Sequence, residues 1–359
     1  MKGTERHMFL GSNSSEGFFS YFDYILSQKE ANKIICIKGG PGTGKSSMLK
    51  KIGKYFNEKG YNIEFHHCSS DSDSLDGIVI KELNVAMLDG TAPHVVDPKT
   101  PGAVDEILDV GKYWDETKIK EQKDLIMSIS KDVSMCFKRA YKYLSAARVV
   151  HEDWSSLNNT ALNLSKINLL KEDFKNKLLP MPICELGTVR HLFATAFTPS
   201  GIVTFVDTLY KNYKEVYILK GGPGTGKTNI LNYIGEEALK RGMYVEVFHD
   251  PFIPTRIEHI LIPELSIALL TSNEINKKSL NGKEINMNEF LDENFLNKYK
   301  AEIAYSQKLF YELSGKALNL LSDVKTIRNE LEKFYIESMD FDKLDMVYKE
   351  TIEKIECYE

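Results

Sequence analysis

Two stretches of the chain combine the residue types that hold phosphate. Gly39-Gly40-Pro41-Gly42-Thr43-Gly44-Lys45-Ser46-Ser47 and Gly221-Gly222-Pro223-Gly224-Thr225-Gly226-Lys227-Thr228-Asn229 each place glycine, four residues, glycine, lysine and a hydroxyl in that order. Glycine tolerates backbone torsions closed to other residues. Successive amides can therefore turn inward as an anion nest, and a helix starting at the lysine adds the positive end of its dipole. Lys45 and Lys227 would reach the outer phosphates, and Ser46 and Thr228 would offer a hydroxyl to Mg²⁺. The chemistry implied is binding of a nucleoside triphosphate with Mg²⁺ at each loop. The plainer alternative is a glycine turn with no ligand.

Such a site also needs a carboxylate at the end of a neighbouring strand. Asn84-Val85-Ala86-Met87-Leu88-Asp89 reads as that strand, with Asp89 as the Mg²⁺ acid or, alternatively, a turn residue before Gly90. In the second copy Thr271 aligns with Asp89, so the second site is expected to bind nucleotide and hydrolyse it slowly or not at all, unless Asp250 or Glu274 substitutes. Asp71 and Asp73, in His67-Cys68-Ser69-Ser70-Asp71-Ser72-Asp73, are candidates to orient the attacking water. The competing reading is a helix N-cap run before Leu75 to Ile80. Glu82 and Glu264 recur in both copies, but they precede the third strand and should lie at its far end, which favours a structural role. His66, His67, Cys68 and His94 suggest zinc only weakly, because adjacent strand residues point to opposite faces. Arg6 and Arg190 could act as arginine fingers across the halves or form salt bridges.

The elements that must position these groups are written twice. Gly3-Thr4-Glu5-Arg6-His7-Met8-Phe9 recurs as Gly187-Thr188-Val189-Arg190-His191-Leu192-Phe193. From the glycine loop onward, Leu49, Ile52, Gly60, Glu64, His67 and Leu88 match Leu231, Ile234, Gly242, Glu246, His249 and Leu270 without a gap. Further on, Ala140 matches Ala317. Two units follow, 1–180 and 181–359, joined near Pro180 and Pro182. In each, a strand at Arg6 to Leu10 precedes an amphipathic helix at Gly17 to Leu26. A buried strand then runs into the glycine loop, and a helix follows from Ser46 to Lys59. Strands alternating with helices predict an α/β fold with parallel sheets. Helical arms follow at about 113–179 and 288–359.

The chain has 359 residues, 42% hydrophobic and 27% charged, with net charge -5. That balance does not suit a dedicated nucleic-acid binder. The lysines between Lys112 and Lys142 are interleaved with acids and read as a solvated helical face. Five cysteines without a CxxC suggest reduced thiols, and the apolar run from Ile260 to Leu270 is too short to span a bilayer. A cytoplasmic setting without membrane contact is expected.

The Gly-Gly-Pro-Gly-Thr-Gly-Lys loops resemble those of AAA-type ATPases. With Arg6-His7-Met8-Phe9, Cys68 to Gly77 and Leu88 to Pro98, the whole chain resembles an uncharacterised bacterial family of tandem P-loop ATPases, two fused AAA-like domains. The resemblance implies ATP binding and ATPase activity. Three readings compete. One is an ATPase hydrolysing in its first domain. The others are a small-molecule kinase, and a nucleotide-gated adaptor whose helical arms dock a protein partner.

Overall fold

The computed structural model describes residues 1–91, 95–181 and 185–359. The first half contains β1 (Glu5–Phe9), β2 (Gly11–Ser14), β3 (Gly17–Ser20), β4 (Lys33–Lys38), α1 (Lys45–Lys59), β5 (Ile63–Cys68), β6 (Asp71–Ile80), β7 (Val85–Asp89), β8 (Asp105–Asp109), α2 (Glu116–Glu121), α3 (Lys123–Thr160) and α4 (Leu164–Leu178). The second contains β9 (Val189–Leu192), β10 (Thr195–Thr198), β11 (Gly201–Thr204), α5 (Val206–Leu209), β12 (Glu215–Lys220), α6 (Lys227–Leu239), β13 (Val245–His249), β14 (Ile257–Ile262), β15 (Ile267–Ser272), β16 (Lys283–Asn286), α7 (Glu293–Lys298), α8 (Lys300–Ile336) and α9 (Phe341–Glu356).

Each half builds a six-stranded sheet. The first has the order β1-β5-β6-β7-β4-β8, and the second repeats it as β9-β13-β14-β15-β12-β16. These sheets are mixed, which corrects the expectation of parallel ones. β6 runs antiparallel to both β5 and β7, and β14 does the same in the second half. Only Ser69 and Ser70 separate β5 from β6, too few for the crossover a parallel connection requires. The Ser/Asp run that resembles an N-cap instead leads into Leu75, Ile78, Val79 and Ile80, which are all buried and mostly β-branched; that composition suits a strand.

The helix expected over Gly17 to Leu26 is also absent. β2 and β3 form a tight hairpin in the register Ser14↔Gly17, closed by Gly17 at φ 102, and a short 3-10 turn at Phe22–Tyr24 follows. β10 and β11 form the matching hairpin. The two hairpins join into one four-stranded sheet, β11-β10-β2-β3, that spans both halves.

The junction between the halves is specific. Phe9 and Phe193 are fully buried, and each donates its amide to the other's carbonyl, at 2.8 and 3.0 Å. Beside them lies a buried ion quartet. Arg6 is 3.1 Å from Glu64 and 2.5 Å from Glu246, while Arg190 is 2.8 Å from Glu64 and 3.9 Å from Glu246. The quartet corrects the arginine-finger reading of Arg6 and Arg190, because both guanidiniums are committed to the seam.

The arms cross. α3 and α8 pack together, with Ala140, Leu144, Ala317 and Leu321 all fully buried in one cluster. Small residues at facing positions let the two backbones approach closely. α3 is 38 residues long, about 57 Å at 1.5 Å per residue. Its start lies near the end of α8, where Trp114 bridges Met339, and the segment after α3 lies near the start of α7, where Leu162 bridges Leu291. The helices are therefore antiparallel, and each carries its half's arm onto the other half. Leu162, Ile167 and Phe174 enter the second core with Leu219 and Ile230. Met339, Leu344, Val347 and Ile355 enter the first core with Ile37 and Met48.

Candidate functional site

β4 delivers the first glycine loop. Its Ile34, Ile35, Cys36 and Ile37 are buried, so the strand is anchored on both faces. α1 holds the far side of the loop through Met48, Leu49, Ile52 and Phe56; each such burial stabilises by about 1.5–3 kcal/mol. Between them, Gly42 and Gly44 adopt φ of 71° and 84°, and Gly224 and Gly226 adopt 74° and 86° in the second loop. Both loops thus fold alike, and both helices start at the lysine.

Lys45 Nζ donates to the carbonyls of Gly39 and Gly40, each at 2.7 Å, and lies 3.5 Å from Asp89 Oδ2. Lys227 Nζ donates to Gly221 O at 2.7 Å, to Gly222 O, and to Thr225 Oγ1 at 3.2 Å. Burial lowers the pKa of both lysines, and Asp89 opposes that shift at Lys45. Thr43 and Thr225 brace the loops by donating to Gly40 O and Gly222 O. Pro41 to Ser47 line a cavity of about 360 Å³. Pro223 to Asn229 line a second of about 200 Å³. Gly39, Gly40, Gly221 and Gly222 serve instead as the carbonyl platform for the lysines.

Asp89 ends β7, paired with Ile37 of the neighbouring β4, and it lines the first cavity with Lys45 and Ser46. Its Oδ1 accepts from Thr91 N at 2.9 Å, and Thr91 Oγ1 donates to Gly39 O at 2.9 Å. The acid is thereby tied to the loop. Ser46 Oγ accepts from Leu75 N at 3.0 Å, which leaves its own proton and second lone pair. The matching Thr228 hydroxyl is 3.5 Å from Ile257 O. A hard cation beside phosphate asks for oxygen donors of this kind, so the hydroxyl and carboxylate of the first cavity fit Mg²⁺.

The other sequence candidates separate. Asp71 lines the first cavity, yet its Oδ1 is 2.9 Å from Lys325 and its Oδ2 accepts from Ser74 at 2.6 Å. Burial would raise its pKa, but these two contacts hold it low. Asp73 is 82% exposed, pairs with Lys325 at 3.3 Å and is not part of the cavity wall. Glu82 accepts from Asn62 N and Nδ2 at 2.9 and 2.5 Å, away from the loop. His67 meets His7 at 2.9 Å, whereas His66 faces Glu64 at 3.6 Å; the two rings are turned to different neighbours. Burial pushes the His67 pKa down to about 4. His94, Pro182 and Cys184 lie outside the described residues.

One acid escapes the sequence reading. Asp76, 3% exposed, lines the first cavity. The β6–β7 pairing ends at Gly77 with Leu88, one residue short of Asp76 and Asp89, and both acids line the cavity. In the second half Glu258 and Thr271 line the other cavity together. The repeat did carry this signal, since Asp76 and Glu258 match at the spacing of the two lysines. The N-cap reading of the Ser/Asp run hid it.

The second cavity is more acidic at depth. Asp250, Glu258 and Glu274 are all buried in its wall. His151 Nε2 sits 2.6 Å from Glu274. Burial opposes ionisation of Glu274, but His151 and Lys227 hold its pKa low. Burial, with Asp250 next in weight, pushes Glu258 well above the carboxylate range. The folded state therefore keeps a proton that the unfolded chain loses above about pH 4.3, and stability falls as pH rises from there toward the folded pKa. Glu258→Gln is expected to raise Tm at pH 8 by about 2 °C and to leave it unchanged at pH 4. Thermal unfolding of the ligand-free protein across that range reads it, and a pH-independent offset contradicts it.

The crossed arms supply the outer walls. Arg328, Glu332, Ile336 and Phe341 line the first cavity, and Ser155 and Asn159 line the second. The approach is close. A Cβ on Gly42 would sit 2.8 Å from Glu332 O, and one on Gly224 would sit 2.0 Å from Ser155 O.

A strand, a glycine nest on a helix start, and a carboxylate on the adjoining strand define a P-loop NTPase domain, in which the loop binds nucleotide. Within that class, residues 18–178 match the model of the KAP family P-loop domain. The matched span contains the first loop, Asp76 and Asp89. No solved structure matches the chain. Among the described residues no helix is long and apolar enough to cross a membrane.

Proposed function

We propose that the chain is a Mg²⁺-dependent ATPase of two tandem nucleotide-binding units, about 1–180 and 181–359, with hydrolysis at the first loop and binding without efficient turnover at the second. The observation that carries this reading is that Asp89 and Asp76 share a cavity wall with Lys45, whereas Thr271 and Glu258 share one with Lys227. The loop amides and Lys45 hold the β- and γ-phosphates. Ser46 and Asp89 would hold Mg²⁺, which would screen the phosphate charge. Asp76 orients a water in line with the γ-phosphorus and accepts its proton. One P–O bond forms as the β–γ bridge breaks, and the electron pair leaves with the diphosphate. The second unit keeps the cradle but offers a threonine in place of the Mg²⁺ acid. Adenine is preferred on the family resemblance of the loops.

Calorimetry with Mg·ATP on the intact chain tests the reading, with phosphate release followed in parallel. Two saturable sites per chain and steady turnover are expected. One site, or none, sinks the tandem assignment, and binding without phosphate release sinks the ATPase.

A further inference from the structure

We propose that Arg328, carried by α8 from the second half of the chain, contacts the γ-phosphate of the nucleotide at the first loop and stabilises the charge of its transfer to water. The inference rests on the ATPase reading above.

Three observations converge on Arg328. First, it lines the first cavity together with Lys45, Ser46, Asp76 and Asp89, although it lies far beyond them in sequence. Second, its guanidinium is uncommitted. No hydrogen bond or ion pair to Arg328 occurs among the described residues, whereas Lys325, one turn earlier on α8, is bound to both Asp71 and Asp73. The other arginines that meet the halves' junction, Arg6 and Arg190, are consumed by the glutamate pair. A half-buried guanidinium facing a void beside a buried lysine is best satisfied by a polyanion, and its planar fork suits phosphate oxygens.

Third, the other arm differs at the matching place. With Ala140 aligned to Ala317, the position of Arg328 falls on His151. His151 is fully buried and closed onto Glu274 at 2.6 Å. The second site thus lacks the arm-borne guanidinium and the Mg²⁺ acid together, and the arginine in its wall, Arg256, comes from its own half. α8 also spans from one half to the other, so the first site is complete only when the opposite arm is seated.

The test uses the full chain in a Lys227→Ala background, so that the first loop alone reports. Phosphate release from Mg·ATP, ADP affinity, and affinity for ADP with magnesium and aluminium fluoride are measured for Arg328→Ala and Arg328→Lys. Arg328→Ala is expected to lower kcat by about 10³-fold and to weaken the fluoride complex at least 50-fold, with ADP affinity within threefold and Tm unchanged. Arg328→Lys, a point charge without the fork, is expected to recover only a small part. Retained kcat in Arg328→Ala overturns the proposal, as does a fall in ADP affinity that matches the fall in kcat. A parent that binds ADP but does not turn over refutes the ATPase reading alone. The fluoride complex then decides for Arg328, and equal affinity in Arg328→Ala overturns it.

Discussion

Lys45→Ala is expected to reduce Mg²⁺-dependent ATP hydrolysis by about 10²–10³-fold, while Lys227→Ala keeps turnover within about threefold of the parent. Lys45 Nζ rests on two loop carbonyls and 3.5 Å from Asp89, partners that phosphate oxygens can replace. Its loss strips the glycine loop of the cation that rests on it. The cost to the fold is small, because Gly39 O keeps Thr91 Oγ1, Gly40 O keeps Thr43 and Asp89 keeps Thr91 N. The Tm of Lys45→Ala should therefore stay near that of the parent, which separates a chemical defect from a structural one. Lys227 shares its cavity with Asp250, Glu258 and Glu274 and with no counterpart of Asp89, so on the proposed assignment removing it empties a binding site rather than a reacting one. Loss of turnover in Lys227→Ala with retention in Lys45→Ala would reverse the assignment.

Glu64→Ala should be the most destabilising single change at the junction, by about 3–5 kcal/mol, because it leaves Arg6 and Arg190 desolvated and short of charge. Glu64 is fully buried and meets both arginines. Burial would raise its pKa, but Arg190 first and then Lys81 hold it well below the carboxylate range. The same balance lowers Glu246 through Arg6. Both carboxylates are depressed in the folded state, so their contribution is fully present above about pH 4.3 and is lost as pH falls through the folded values. Urea denaturation should show the Glu64→Ala deficit at pH 7 shrinking at pH 3. Replacing Arg6, Arg190, Glu64 and Glu246 together with apolar residues of similar volume should recover most of the loss. A deficit below about 1 kcal/mol at pH 7 would mean that water reaches the quartet.

The parts of this molecule governed by short-range rules were legible in the sequence. The glycine loops, the strands that enter them and the helices that leave them depend on torsions and periodicity within about twenty residues. Asp89 was legible because a strand end is local. The β5–β6 hairpin was not, because Ser/Asp runs serve turns and N-caps equally well. Asp76 was lost with it. The Gly17 helix failed for a related reason: Phe18, Phe19 and Phe22 satisfy a helical face as readily as a hairpin followed by a turn. The exchange of arms was hidden most completely. Periodicity shows that α3 has an apolar face but is silent on which half covers it. The quartet was hidden likewise, since Arg6 and Glu64 are neighbours only through the β1–β5 pairing.

The crossing of the arms sets an order of events during synthesis. Translation runs at about 5–20 residues per second, so the loop at Gly39 to Ser46 leaves the ribosome well before the residues of α8 and α9 that wall it. The emerging first half can fold its sheet around α1, but its nucleotide cavity lacks Arg328 and the cover of Phe341 and Leu344 until residues near 344 have been made. On the ATPase reading, nascent chains stalled before α8 should therefore release no phosphate from ATP.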